Sequence, residues 1–168
     1  MAIQPMQQPK GNSRLVKTVG AGAAATLLLF VSAWEGKSND PYKDIVGVWT
    51  VCYGETRVQM RRYSDAECRD MLANGLADFA EPVLKRNPEL RGHPYQLSAM
   101  VSFAYNAGGA NYNRSSMSRL FSQGRWVSAC NALSKWTFAG GRRVRGLVNR
   151  REAERKMCLT GIPQQFAR

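Results

Sequence analysis

The sequence predicts an α+β domain, mostly helical, with one small sheet near its amino end. Three observations carry this. Residues 41–63 contain Ile45-Val46-Gly47-Val48 and Trp49-Thr50-Val51-Cys52-Tyr53, β-branched and aromatic runs punctuated by Gly47 and Gly54. Ser64-Asp65-Ala66-Glu67 is a capping box heading a segment with apolar Met71, Leu72, Leu76, Phe79 and Ala80. From Pro94 to Gly108-Gly109, Leu97, Met100, Val101 and Ala104 recur on one helical stripe that Phe103 widens.

At the amino end, Lys10, Arg14 and Lys17 precede an uncharged stretch, residues 18–34. Basic residues before an apolar run are an export signature. As a helix the stretch would reach ~25 Å, short of the ~30 Å hydrocarbon layer. About half of its core is Gly, Ala and Thr, so it is a weak span. Three readings follow. Val31-Ser32-Ala33 fits a cleavage site before Trp34; the segment is a permanent anchor; or it is an anchor that leaves the membrane. Residues 1–34 are thus expected as a basic tail with an export segment, and 35–168 as the folded domain.

Pro82 is expected to bend or end the helix that Ser64 opens. Pro94 opens the next helix, expected to be the central buried one, and Gly108-Gly109 stops it. Shorter helices follow at about 115–123, 125–136 and 147–159, with a loop at 137–146 around Gly140-Gly141. No repeat or low-complexity tract interrupts the chain.

Charge is lopsided: 24 Lys and Arg against 12 Asp and Glu. Such a field suits a polyanionic partner, whether nucleic acid, an anionic membrane face or an anionic cell wall. The four cysteines, Cys52, Cys68, Cys130 and Cys158, allow three pairings. Cys52–Cys68 and Cys130–Cys158 join nearest partners; buried free thiols are the alternative. His93 is the single His, which leaves no plausible zinc site. No Gly-x-Ser-x-Gly elbow is present. No metal or cofactor is expected.

The densest signal is Trp34-Glu35-Gly36-Lys37-Ser38-Asn39-Asp40-Pro41-Tyr42-Lys43-Asp44-Ile45-Val46-Gly47-Val48-Trp49-Thr50. Glu35 ends an apolar segment, and Asp44 and Thr50 sit in a β-like stretch. Two carboxylates from different elements suit glycoside hydrolysis, one protonating the leaving oxygen and one activating water or stabilising positive charge. The run resembles the active-site segment of the phage-type lysozymes: Glu at a helix end, Tyr-x-Asp, then Gly-x-x-Thr. Ser102-Phe103-Ala104-Tyr105-Asn106-Ala107-Gly108, Trp136-Thr137-Phe138-Ala139-Gly140-Gly141 and Gly146-Leu147-Val148-Asn149-Arg150-Arg151 extend the resemblance to about Gly161. One departure is clear. Many members read Gly-x-Gly-His-Thr where this chain has Cys52-Tyr53-Gly54-Glu55-Thr56.

The resemblance implies a lysozyme-like fold, with a cleft between a small sheet lobe and a helical lobe. It implies cleavage of the β-1,4 bond between N-acetylmuramic acid and N-acetylglucosamine with inversion. Glu35 would be the acid, Asp44 the base or charge stabiliser, and Thr50 the holder of water. It also implies peptidoglycan rather than nucleic acid as partner, a monomer, and a signal-arrest-release segment in 18–34 that sits in the inner membrane before release to the periplasm. Arg150 matches a family Arg close to the acid; an ordinary surface Arg is the other reading. Asn106 is either a sugar contact or a helix cap near Gly108. Trp49, Trp126 and Trp136 either stack on sugars or fill the core. A lytic transglycosylase and a tethered basic binding module are the competing functions.

Overall fold

Gly20 breaks the amino-terminal segment into two helices, α1 (Gly11–Val19) and α2 (Ala21–Trp34). Its φ of 86° and ψ of 159° suit a residue without a Cβ. The computed structural model describes residues 11–167, so of the basic head Lys10 lies outside the described residues, and Arg14 and Lys17 lie in α1. Among the described residues, no helix is long and apolar enough to cross a membrane.

Both helices are part of the fold. Leu15 of α1 and Ala23, Ala24, Leu27 and Val31 of α2 are buried in the same cluster as Leu76, Leu97, Met100 and Val101. The helix α3 (Asp65–Arg86) receives α1, and Arg14 clamps the pair through Asp78 at 2.6 Å and Glu81 at 2.9 Å. The boundary expected at residue 34 therefore falls between lengths of chain that share one core.

The capping box heads α3 as expected: the Glu67 N–H donates to Ser64 Oγ at 3.2 Å, and the Ser64 N–H to Glu67 Oε2 at 2.8 Å. Pro82 neither ends the helix nor marks its last turn; α3 runs on to Arg86. An interior Pro costs about 3 kcal/mol. Burying Val83 and Leu84 just beyond it returns roughly 1.5–3 kcal/mol each, so packing outweighs propensity.

The helix α4 (Pro94–Ala107) is the central one. Every residue from Gln96 to Ala104 is buried, including polar Gln96, Ser98 and Ser102. Gln96 Nε2 donates to the carbonyls of Cys158 and Thr160 at 2.6 and 2.8 Å, and Ser98 Oγ to that of Ala23 at 3.3 Å. Gly108 caps α4 at φ 99°, but Gly109 at once begins a further helix, α5 (Gly109–Arg114), which the sequence did not suggest. Then come α6 (Ser116–Ser122), α7 (Trp126–Ala132) and α8 (Arg145–Leu159), which packs along α4. The expected loop at 137–146 is a hairpin: β3 (Phe138–Ala139) pairs with β4 (Arg142–Arg143) across Gly140-Gly141, both at positive φ.

The amino-terminal sheet is also a two-stranded hairpin, but its strands differ from the expected ones. β1 (Ser38–Lys43) pairs antiparallel with β2 (Trp49–Cys52). The apolar run 45–48 is the exposed connection, not a strand. Asp44 Oδ1 accepts from the Val46 and Val48 N–H groups at 3.0 and 2.9 Å, so those donors are lost to a ladder. Gly47 at φ 83° completes the turn. Polar β1 escapes propensity because Asn, Asp and Pro are poor strand formers. Pro41 lies where the register between Ser38 and Tyr42 is irregular.

Two disulfides form with nearest-partner connectivity. Cys52–Cys68 ties β2 to α3, and Cys130–Cys158 ties α7 to α8. Cys52 takes φ 59°, in the left-handed region that favours Gly.

Candidate active site

Burial of one face of α2 fixes where Glu35 goes. Leu27 and Val31 pack toward α4, and Glu35 follows as the C-cap, its N–H donating to the Val31 carbonyl at 3.0 Å. Its side chain enters a groove of about 450 Å³. Met71, Leu72 and Phe79 of α3 supply apolar lining; Tyr53, Glu55, Arg57, Tyr105 and Asn106 supply polar groups. The carboxyl is one-quarter exposed, and Arg150 Nη1 donates to its Oε1 at 2.7 Å.

Arg150 is buried, so the reading of it as an ordinary surface Arg is excluded. Glu154, fully buried one turn along α8, pairs with Arg150 Nε at 3.3 Å and with Arg151 Nε at 2.7 Å. Ser102 Oγ donates to Glu154 Oε1 at 2.7 Å. Arg151 Nη2 donates to Asn106 Oδ1 at 2.8 Å, so Asn106 is held at the groove, while Gly108 caps α4. Burial raises Glu154 above the ordinary carboxylate range and lowers Arg151 below its own; their mutual attraction opposes both shifts.

Asp44 and Thr50 belong to the hairpin rather than to the lining of this groove. Both are fixed by the Val48 peptide: its N–H donates to Asp44 Oδ1, and its carbonyl accepts from Thr50 Oγ1 at 3.1 Å. Thr50 is buried opposite Tyr42 in the ladder. The structure therefore brings Glu35, Arg150 and Asn106 to one wall, and sets Asp44 and Thr50 together on the β lobe.

Several groove residues were not singled out as site candidates from the sequence. Burial pushes the Glu55 carboxyl up, but hydrogen bonds from Arg57 and from the Thr56 and Arg57 N–H groups more than offset this, leaving it below the ordinary range. A second anion thus lines the groove. Tyr105 is pushed up to about 12, first by burial and then by the charges of Glu35 and Glu55, so it remains a phenol donor. For Glu154 a sequence signal did exist: it is an acid three and four residues beyond two arginines, the spacing that lets all three meet on one helix face. Of the tryptophans, Trp126 is core and Trp136 packs edge-on against Phe103, while Trp49 is exposed under Lys43.

Residues 32–154 match the family described as phage lysozyme. The chain belongs to that family. It is a lysozyme-type glycoside hydrolase with the α+β fold the sequence predicted. Among relatives of this phage lysozyme is the SAR-endolysin of Enterobacteria phage PA-2, 38% identical over 166 residues, 91% of this chain and 98% of that protein. The SAR-endolysin of Enterobacteria phage P21 is 38% identical over 164 residues, with the same coverage. The solved active form of P1 phage endolysin Lyz superimposes with a TM-score of 0.69 at 29% identity, covering 90% of this chain and 94% of that one.

Proposed function

We propose that this phage lysozyme is an endolysin that cleaves the β-1,4 bond between N-acetylmuramic acid and N-acetylglucosamine. The observation that supports this reading most is Glu35: a part-buried carboxyl at a helix end, lining a groove with polar and aromatic walls and held by a buried Arg. Glu35 donates its proton to the glycosidic oxygen as the bond breaks. Asp44 acts from the β lobe, either as base toward water or as stabiliser of the oxocarbenium-like charge. Two backbone N–H groups occupy its Oδ1 and orient the carboxylate. Thr50, tied to the same peptide, helps hold the water. Asn106 contacts the sugar from the same wall as Glu35.

Relatives named SAR-endolysins support the rest of the reading. Residues 18–34 reside in the host inner membrane after export, then leave it as α2 docks on α4, and the enzyme works in the periplasm as a monomer. Leaving lipid is favoured by the Gly and Ala content of the segment; docking buries its Leu27 and Val31 face. Extraction and assembly of the Glu35 wall are then one event.

Product analysis tests the chemistry. Hydrolysis releases new reducing ends from purified peptidoglycan; anhydro-muramic ends instead would replace this reading with a lytic transglycosylase. The mass of the soluble mature chain tests release: residues 1–33 retained supports it, and their loss refutes it.

A further inference from the structure

We propose that Glu154 is a positioning residue: through Arg150 and Arg151 it fixes both the Glu35 carboxyl and the Asn106 amide on the groove wall. The inference rests on the reading of Glu35 as the acid. Glu154 is fully buried and does not line the groove, so it acts through other residues. It receives Ser102 Oγ at 2.7 Å, Arg150 Nε at 3.3 Å and Arg151 Nη2 at 3.1 Å. Arg150 reaches outward with a different nitrogen, Nη1 to Glu35 at 2.7 Å, whereas Arg151 Nη2 is shared between Glu154 and Asn106, the latter at 2.8 Å. One carboxylate thus organises two arms, and both arms end at groove-lining side chains.

Stability is a poor explanation for this cluster. Replacing a buried ion triad by packed apolar residues is often neutral or stabilising. Here the network also leaves Arg150 Nη2 buried without a hydrogen-bond partner among the described residues. What the cluster supplies is geometry. Two guanidinium groups from adjacent positions of α8 would repel each other if Glu154 were not between them. Ser102 anchors the carboxylate to α4, the helix that also carries Asn106, so the Glu35 carboxyl and the Asn106 amide share one reference frame. Catalytic groups need such locking, since a misplacement of about 1 Å costs up to about 100-fold in rate.

The test measures kcat and KM on soluble peptidoglycan fragments, alongside thermal unfolding. Glu154→Gln leaves two buried arginines under-compensated and lowers both stability and kcat. Glu154→Gln combined with Arg151→Gln restores charge balance. Positioning predicts that unfolding returns toward the native temperature while kcat stays about tenfold or more below native, with KM within about twofold. Recovery of kcat together with stability, or a raised KM at native kcat, overturns the proposal. If neither Glu154 variant folds, Ser102→Ala decides, since it removes one hydrogen bond and no charge. A fall in kcat of about threefold at unchanged KM supports positioning, and native kcat refutes it. Glu35→Gln serves as the control: full activity there removes the acid reading itself, an outcome separate from failure of the network.

Discussion

Leu27→Ala and Leu29→Ala make a matched pair within α2. Leu27 is fully buried against the core, whereas Leu29, two residues on, is 75% exposed. Truncating a buried Leu costs about 2–5 kcal/mol, the transfer loss plus the cavity it leaves. Taking about 3 kcal/mol, and about 2–4 °C per kcal/mol for a domain of this size, Leu27→Ala lowers Tm by roughly 6–12 °C. Leu29→Ala is a surface change of about 0.5 kcal/mol or less, so roughly 2 °C at most. The two substitutions remove the same apolar bulk from residues 18–34, so any effect through membrane partition would be similar. Thermal unfolding by circular dichroism of the detergent-free protein separates the two sites. Equal shifts, or no shift in either variant, would refute the docking of α2 as part of the core.

The disulfides and the acidic limit of stability give further tests. Cys130→Ser with Cys158→Ser opens a loop with a separation of 28 residues and should cost about 3–4 kcal/mol by chain entropy; Cys52→Ser with Cys68→Ser, separation 16, should cost about 3 kcal/mol. Urea titration checks both, and the Cys52 pair should also reduce lysis, because Cys52 lies two residues beyond Thr50. Glu67 is lowered to about 2 from 4.5 by the Ser64 N–H and then by Arg61. A depressed carboxyl stabilises the fold above its unfolded value and loses that contribution as pH falls through its folded value. Tm should therefore drop between about pH 4.5 and pH 2, and the drop should be shallower in Glu67→Gln; an unchanged slope would contradict the capping-box assignment.

Sequence signals that depend on local chemistry translated well. Ser64 and Glu67 are spaced for reciprocal capping, and they cap. The stripe from Leu97 to Ala104 belongs to the buried central helix, and the nearest cysteines pair. Signals that depend on what lies across the fold did not. The run 45–48 has strand-like composition, but one side chain, Asp44, captures its N–H groups and turns it outward. Pro82 looks like a stop, but its cost is outweighed by neighbours that only the tertiary structure supplies. At the site, the resemblance left Arg150 open between a partner of Glu35 and a surface residue, and the 2.7 Å contact with Glu35 comes from the fold. The second layer behind them, Ser102 and Glu154, brings together residues 52 positions apart, a distance at which periodicity carries no signal.

Glu35 is proposed to deliver the proton that breaks the glycosidic bond. The most direct measurement is the rate of reducing-end release from purified peptidoglycan by folded Glu35→Gln, whose amide keeps the shape of the side chain but cannot donate an acid proton. A fall of at least about 100-fold is predicted. Release at the native rate by that variant would contradict the claim.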